Sequence, residues 1–201
     1  MTRAESQRRT KRALLDAADR RFASQGYVGT TLAQVAADAG LTKGAVYANF
    51  RSKADLFLAV RKEWSFSGLP AVGERLADMH DIESCMIVVA DWVATFGDES
   101  ANRQRANLEY LVEAASSPVA AEAFRGPFRE TADLIQLLVV SELRRLAGLE
   151  VDPGRLVDHI DVLVAAIIGL GILRGLDPEV RSEAYRVVVR NFCTAAVASA
   201  R

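Results

Sequence analysis

The chain has 201 residues, of which 50% are hydrophobic, and its formal net charge is −1 at neutral pH. This composition excludes a globally disordered chain and leaves material for one large or two small domains with a sizeable core. The charge is unevenly divided, because residues 1–62 hold 12 Lys and Arg against 5 Asp and Glu, whereas residues 63–201 hold 13 against 21. This division predicts an anionic partner for the N-terminal part, with DNA favoured and an anionic membrane surface as the alternative.

The N-terminal part begins with a basic segment and one helix. Residues 1–9 lack apolar periodicity, so we interpret them as a mobile arm. A helix is predicted from about Thr10 to Gln25, because apolar residues recur there at helical spacing, and Gly26 ends it.

Residues 31–50 predict two short helices joined by a tight turn. Thr31 can cap the first helix, with Gln34 at capping-box spacing, and Gly40 supplies the conformation of a helix exit. Thr42 can cap the second helix. A turn of about three or four residues that contains glycine is typical of a helix-turn-helix, whose second helix enters the DNA major groove. The alternative is an ordinary helical hairpin inside an all-α core.

The second helix of this hairpin has an unusual outer face. Val46 and Phe50 form its apolar side, whereas Gly44 and Ala48 lie opposite, flanked by Ala45 and Tyr47. A face with so little side chain lets the backbone approach a groove closely, and alanine methyls can contact thymine methyls.

The next helix begins with a candidate phosphate site. Ser52 can cap it, and Lys53 is its first residue, beside free backbone N–H groups that favour an anion. This helix is predicted to reach about Trp64, after which Gly68, Pro70 and Gly73 interrupt the pattern.

The rest of the chain predicts long amphipathic helices, at about 81–96, 102–116, 118–147, 153–174 and 178–199. The longest apolar run, Val162–Leu173, is shorter than a bilayer span and indicates a buried helix, so we expect a cytoplasmic protein without a membrane partner. The last two helices, about 153–199, are apolar on two sides, which favours a homodimer over an ordinary monomer core. Ala165 and Gly169 form a small ridge that allows close approach.

Sequence motifs of catalysis and metal binding do not occur in this chain. It has no nucleophile elbow, zinc motif, phosphate loop or dinucleotide fingerprint, so we expect no enzyme, no catalytic residues, no metal and no cofactor.

The span from Thr10 to Val60 resembles the DNA-binding domain of the tetracycline-repressor (TetR) family of bacterial regulators. The resemblance rests on an ordered series: Ala17-Ala18, Phe22, Gly26-Tyr27, Thr30-Thr31, Val35-Ala36, Ala39-Gly40, Lys43-Gly44-Ala45-Val46-Tyr47, Phe50, Ser52-Lys53 and Leu56-Phe57. It implies an all-α fold with a three-helix DNA-binding domain at residues 1–62 and a helical ligand-binding and dimerisation domain at residues 63–201.

The resemblance also implies a function and a set of DNA-binding residues. The expected protein is a homodimer that binds a palindromic double-stranded DNA operator, usually as a repressor, and that a small-molecule effector releases. Some side chains would face bases or nearby phosphates, namely Thr42, Lys43 and Ala45, with Gly44 between them. Others would contact phosphates, namely Thr31, Tyr47 and Lys53, and an arm with Arg3, Arg8 and Arg9 would reach a neighbouring groove.

The effector site is predicted from composition alone. A ligand pocket is largely apolar with a few polar anchors, and the candidates on the middle helices are Trp64, Met86, Trp92, Phe96, Tyr110, Phe124 and Phe128. Asn107, Glu109 and His159 are possible polar anchors. The alternative for each aromatic residue is ordinary core packing, and the alternative function is a DNA-binding activator or architectural protein without a ligand.

Overall fold

The computed structural model describes residues 2–66, 69–98, 101–177, 179–181 and 183–199, except for the side chains of residues 65, 66, 69, 96–98, 101, 102 and 131. These residues form helices and no strand, which confirms the predicted all-α class. A short 3₁₀ turn, Pro153–Leu156, precedes the ninth α-helix. The α-helices are α1 (Arg3–Gln25), α2 (Leu32–Asp38), α3 (Lys43–Asn49), α4 (Lys53–Phe66), α5 (Leu69–Ala77), α6 (Ile82–Asp98), α7 (Ala101–Ser116), α8 (Pro118–Ala147), α9 (Val157–Leu176) and α10 (Glu183–Ser199).

The chain divides into two compact units. The first consists of residues 1–65 and 100–127, and the second consists of residues 66–99 and 128–201. Helix α7 and the start of α8 therefore share a unit with α1–α4. The predicted domains, residues 1–62 and 63–201, were assigned by function and do not coincide with these compact units, so the boundary after residue 62 stays a prediction.

Helix α1 begins seven residues earlier than its apolar pattern predicted. Thr2 caps it: the Glu5 N–H donates to the Thr2 Oγ1 at 3.2 Å, and the Thr2 N–H donates to a Glu5 carboxylate oxygen at 2.7 Å. This capping box satisfies backbone donors that would otherwise lack partners. The interpretation of residues 3–9 as a mobile arm was therefore wrong, because an exposed helical turn needs no apolar stripe.

Helix α5 occupies the segment in which the sequence predicted an interruption. Pro70 lies in its first turn, where a missing N–H removes no helical hydrogen bond. Val72 and Leu76 are buried one helical turn apart, and they pack with Cys85 and Val88 of α6. This burial outweighs the weak helix propensity of Gly73.

The centre of the first unit is aromatic. Tyr27, in the turn after α1, is 1% exposed, and its ring centroid lies 5.1 Å from that of Phe57 and 5.2 Å from that of Tyr110. Both contacts are edge-on, an arrangement that contributes about 0.5–1.5 kcal/mol beyond area burial. Because Phe57 belongs to α4 and Tyr110 to α7, one core joins the helix-turn-helix segment to α7.

In the second unit, α10 buries the stripe that the sequence predicted. Tyr185, Val189, Phe192 and Ala196 are buried, in a core that α6, α8 and α9 complete. The predicted start near residue 178 was wrong, and Pro178 itself lies outside the described residues. The Asp177 side chain accepts from the Glu179 N–H at 2.9 Å, which indicates a turn rather than a helix start.

Helix α9 is not buried in the way that its apolar run predicted. Val162 is 69% exposed and Leu173 is 53% exposed, so the described part of the chain leaves one apolar face of the helix largely uncovered. By length and composition alone, Pro153–Leu176 could cross a membrane, but a core helix of a soluble protein passes the same test. Burial within the chain therefore does not account for the apolar character of this face.

Candidate functional site

Helices α2 and α3 form the predicted helix-turn-helix, and local hydrogen bonds determine both starts. The Thr31 side chain accepts from the Gln34 N–H at 3.3 Å, and the Gln34 side chain accepts from the Thr31 N–H at 2.9 Å. Gly40 has a φ of 65°, and the Leu41 N–H donates to the Ala36 carbonyl at 2.8 Å. These bonds end α2 and turn the chain toward α3 within a few residues.

The outer face of α3 is bare, as the sequence predicted. Thr42 caps the helix through a 3.2 Å bond from the Ala45 N–H, and Val46 is fully buried. A Cβ built at Gly44 would meet only the Thr42 Oγ1, at 3.7 Å, so the backbone there is open to a partner. Tyr47 is 59% exposed beside it. Such a surface suits close approach to a groove.

Most of the predicted DNA-binding residues are exposed on α3 or at its start. Thr42, Lys43, Gly44 and Tyr47 are exposed on α3, and Ala45 is half-buried beside them. Thr31 is exposed at the start of α2, where its hydroxyl belongs to the capping box. Their individual contacts to bases or phosphates stay predictions.

Lys53 differs from its predicted environment. Its ammonium donates to the Tyr27 carbonyl oxygen at 3.1 Å and lies 4.1 Å from the centroid of the Tyr27 ring. The side chain is half-buried, so its charge is held against the turn that follows α1. A phosphate clamp at Lys53 stays a prediction, and this contact adds a structural role.

Replacing Lys53 with methionine is expected to lower the free energy of unfolding by about 1–2 kcal/mol in the absence of DNA. This range combines one hydrogen bond with a partly exposed cation–π contact. Lys43→Met is the matched control, because Lys43 is also the first residue of its helix but is exposed. Urea denaturation of both variants measures the difference, and an equal small loss would contradict the structural role.

Two carboxylates of α7 hold the turn between α1 and α2. A Glu109 carboxylate oxygen accepts from the Val28 N–H at 2.7 Å, and the Tyr27 hydroxyl donates to Glu113 at 2.8 Å. Burial, together with the bond to Glu113, raises the pKa of Tyr27, so its phenol stays protonated. No local pattern in the sequence indicates these bonds, because α7 lies about 80 residues away along the chain.

A side chain at position 26 would point at the same carboxylate. Gly26 has a φ of 75°, and a Cβ added there would lie 2.6 Å from a Glu109 carboxylate oxygen. Only glycine adopts this backbone conformation readily. A side chain at position 26 would therefore require the Glu109 carboxylate, which accepts from the Val28 N–H, to shift.

Basic residues of α1 remain available on the same unit. Arg8 and Arg9 are exposed on α1, and so is Lys11, whose ammonium lies 5.8 Å from the centroid of the Phe50 ring. Arg21, by contrast, is engaged with Asp38 of α2, and that hydrogen-bonded pairing lowers the pKa of the Asp38 carboxyl. The predicted positive surface is thus real on α1, although it is presented by a helix rather than by an arm.

The candidate ligand residues are divided between the cores of the two units. Trp64, Tyr110 and Phe124 belong to the core of the first unit, where the Trp64 indole N–H donates to Asp19 at 2.7 Å. Trp92 and Phe128 pack against the core of the second unit, and the Phe96 side chain lies outside the described residues. Core packing accounts for the burial of these aromatic residues, and their role in ligand binding stays a prediction.

An open groove of about 320 Å³ lies between α6 and α10. Met86 is the candidate that lines it, together with Ile82, Glu83, Cys193, Thr194 and Val197. Burial raises the pKa of the Cys193 thiol to about 11, so this thiol is uncharged at neutral pH. Among the candidate anchors, His159 bonds to the Ser199 hydroxyl at 3.1 Å.

Comparison with known proteins identifies the helix-turn-helix segment. Residues 14–60 match the family model described as bacterial regulatory proteins, tetR family. The HTH-type transcriptional regulator AcrR of Shigella flexneri is 41% identical over 66 residues, which are 33% of this chain and 29% of AcrR. The sequence similarity thus spans less than a third of that relative.

Solved structures extend the similarity of fold to nearly the whole chain. A TetR-family transcriptional regulator from Mesorhizobium loti MAFF303099 has a TM-score of 0.66 at 20% identity, covering 96% of this chain and 98% of that one. A structure named SmeT-Triclosan complex has a TM-score of 0.60 at 23% identity, covering 92% and 90%. AcrR and the Mesorhizobium loti protein are transcriptional regulators and not enzymes, in agreement with the prediction from sequence. Residues 14–60 thus match the tetR family of bacterial regulatory proteins, and the fold of nearly the whole chain is similar to that of a solved TetR-family regulator.

Proposed function

We propose that this protein is a ligand-responsive repressor that binds a palindromic DNA operator as a homodimer. The observation that carries the proposal is the exposed, nearly bare face of α3, with Lys43, Gly44 and Tyr47 on it and capped helix starts at Thr31 and Thr42. Phosphate contacts from these starts would fix the register, and the few side chains on α3 would read bases. With so few side chains, DNA shape would contribute to specificity.

The homodimer is proposed to form through α9 and α10. Val162 and Leu173 are exposed on α9, and a Cβ added at Gly169 would meet nothing within 4 Å. A second copy of the chain would cover this apolar face, and its helix could approach closely at Ala165 and Gly169. Two copies of α3 would then contact half-sites about 34 Å apart, one turn of DNA.

The effector is proposed to be a small, largely apolar molecule. The fold similarity to SmeT, which was solved with triclosan, supports this class of ligand. The aromatic candidates around Trp64, Tyr110 and Phe124 in one unit, and Trp92 and Phe128 in the other, are the side chains that it would contact. A protein of this kind acts in the cytoplasm, where the operator is.

The alternative is a DNA-binding activator or architectural protein that responds to no ligand. The burial of Trp64 and Tyr110 favours it, because side chains that fill a core leave no room for a ligand. Thermal unfolding in the presence of a library of small apolar compounds separates the two proposals, since a ligand that binds only the folded state raises the unfolding midpoint.

DNA binding is tested with two substitutions on α3. Tyr47→Phe should lower affinity about 2- to 10-fold on every sequence, because one hydrogen bond to a phosphate is lost. The salt dependence should not change, since a neutral phenol releases no counterion. Fluorescence anisotropy with DNA selected from a random library by the wild-type protein measures both quantities.

Lys43→Ala is expected to behave differently. If the ammonium contacts a phosphate, the substitution should reduce the slope of the logarithm of the DNA-binding constant against the logarithm of the salt concentration by about 1. If the ammonium contacts a base, the substitution should weaken binding to some DNA sequences more than to others. Val28→Ala is the control, because Val28 is exposed outside both helices. Wild-type affinity and sequence preference in both α3 variants would overturn the proposed interface.

A further inference from the structure

Arg61 on α4 is a cation in apolar surroundings. It is half-buried, and its guanidinium carbon lies 5.5 Å from the centroid of the Phe124 ring. Tyr110, which is 1% exposed, continues this aromatic wall at 6.3 Å from Phe124. The three side chains come from α4, α7 and α8 of the first unit.

No carboxylate within the described part of the chain pairs with this guanidinium. Glu63, two residues away, pairs with Arg12 at 3.2 Å, and Glu113 accepts from the Tyr27 hydroxyl. Burial lowers the pKa of Arg61, and the one group that acts in the opposite direction is the phenol of Tyr110. The aromatic contact with Phe124 leaves the hydrogen-bond donors of the guanidinium without an acidic acceptor.

Such an arrangement is unfavourable for folding alone. An arginine stays charged in proteins, and a half-buried charge without an opposite charge loses hydration that no ion pair replaces. A guanidinium presents a planar fork of donors that matches a carboxylate in two parallel hydrogen bonds. An apolar wall on one side and a single unpaired cation on the other fit a monoanion with an apolar body.

We propose that Arg61 binds the carboxylate of a small apolar acid, and that this acid is the effector of the DNA-binding regulator proposed above. Only the role of the acid as effector rests on that proposed function, because carboxylate binding at Arg61 can be measured without DNA. A carboxylate is favoured over a phosphate, because the single cation beside Phe124 and Tyr110 balances one negative charge. It does not compensate the loss of hydration of a dianion.

The first test uses no ligand. Arg61→Met keeps the aliphatic stem and removes the charge, so the midpoint of thermal unfolding should rise by about 2–4 °C. Arg125→Met on α8 is the control, because Arg125 is exposed beside Phe124 and pairs with Glu122. A lower midpoint for Arg61→Met than for the control would show that Arg61 stabilises the free protein, and it would overturn the proposal.

The second test compares charged and neutral probes by titration calorimetry. The probes are 2-naphthoate, decanoate and the primary amide of each. At least one carboxylate should bind the wild-type protein about 10- to 100-fold more tightly than its amide, and Arg61→Met should abolish that difference while Arg125→Met preserves it. Equal affinity for acid and amide, no binding of either acid, or tighter binding of inorganic phosphate would each overturn the proposal.

A DNA-binding assay separates this inference from the proposed function. If the neutral amides release the protein from DNA and the acids do not, ligand control is supported and the assignment of Arg61 fails. If the acids bind through Arg61 and the protein binds no DNA, the carboxylate site is supported and the proposed function fails.

Discussion

Replacing Gly26 with alanine is expected to lower the free energy of unfolding by about 2–3 kcal/mol. The backbone there has a φ of 75° and a ψ of −179°, a region that is essentially restricted to glycine and that adds roughly 1–3 kcal/mol of strain for other residues. The new Cβ would also lie 2.6 Å from the Glu109 carboxylate. Urea denaturation measures the loss.

Gly40→Ala is the matched control for that substitution. Gly40 also has a positive φ, of 65°, but no atom lies within 4 Å of the position that a Cβ would occupy. The Gly40→Ala variant should lose about 1 kcal/mol of unfolding free energy, the usual difference between glycine and alanine in this backbone conformation. Comparable losses in the two variants would show that Glu109 moves aside freely. If the contact is rigid, the double variant with Gly26→Ala and Glu109→Ala should lose less unfolding free energy than the sum of the losses in the two single variants.

Introducing a charge at position 169 is expected to give monomers. Gly169→Arg would place a guanidinium in the apolar α9 surface, and a buried charge without a partner disfavours an interface by roughly 3–5 kcal/mol. The dissociation constant of the proposed dimer should therefore rise roughly 100-fold or more. Sedimentation velocity over a concentration series measures the change, and affinity for a two-half-site DNA should fall with it.

Gly73→Arg on α5 is the control for the dimer experiment. Gly73 also lies inside a helix, and a Cβ added there would meet no atom within 4 Å, so a charged side chain is accommodated. This variant should keep the wild-type oligomeric state and stability within about 1 kcal/mol. An intact dimer in Gly169→Arg would place the interface on another surface.

Local chemistry made the helix-turn-helix predictable from the sequence. Thr31 with Gln34, Gly40 and Thr42 act within a few residues of themselves, so their spacing alone indicates two capped helices and a turn. The start of α1 could be predicted in the same way, because Thr2 and Glu5 have capping-box spacing. It was missed because apolar periodicity carries no information about an exposed helical turn.

The contacts that complete the site depend on residues distant in the sequence. Lys53 has the position of a phosphate ligand at a helix start, but its ammonium donates to the carbonyl oxygen of Tyr27, in the turn after α1. Glu109 and Glu113 belong to a later helix, and no spacing rule connects them to residues 26–28. The aromatic ligand candidates show the same limit, since composition does not distinguish a pocket wall from a filled core.

The contact between Gly26 and Glu109 has a consequence for the evolution of relatives of this chain. Because the missing Cβ and the carboxylate occupy adjoining space, the two positions are not free to change independently. A relative with a side chain at position 26 should carry a shorter residue than glutamate at position 109. It should also use another acceptor for the N–H of position 28. An alignment of full-length relatives should therefore show these two columns changing together.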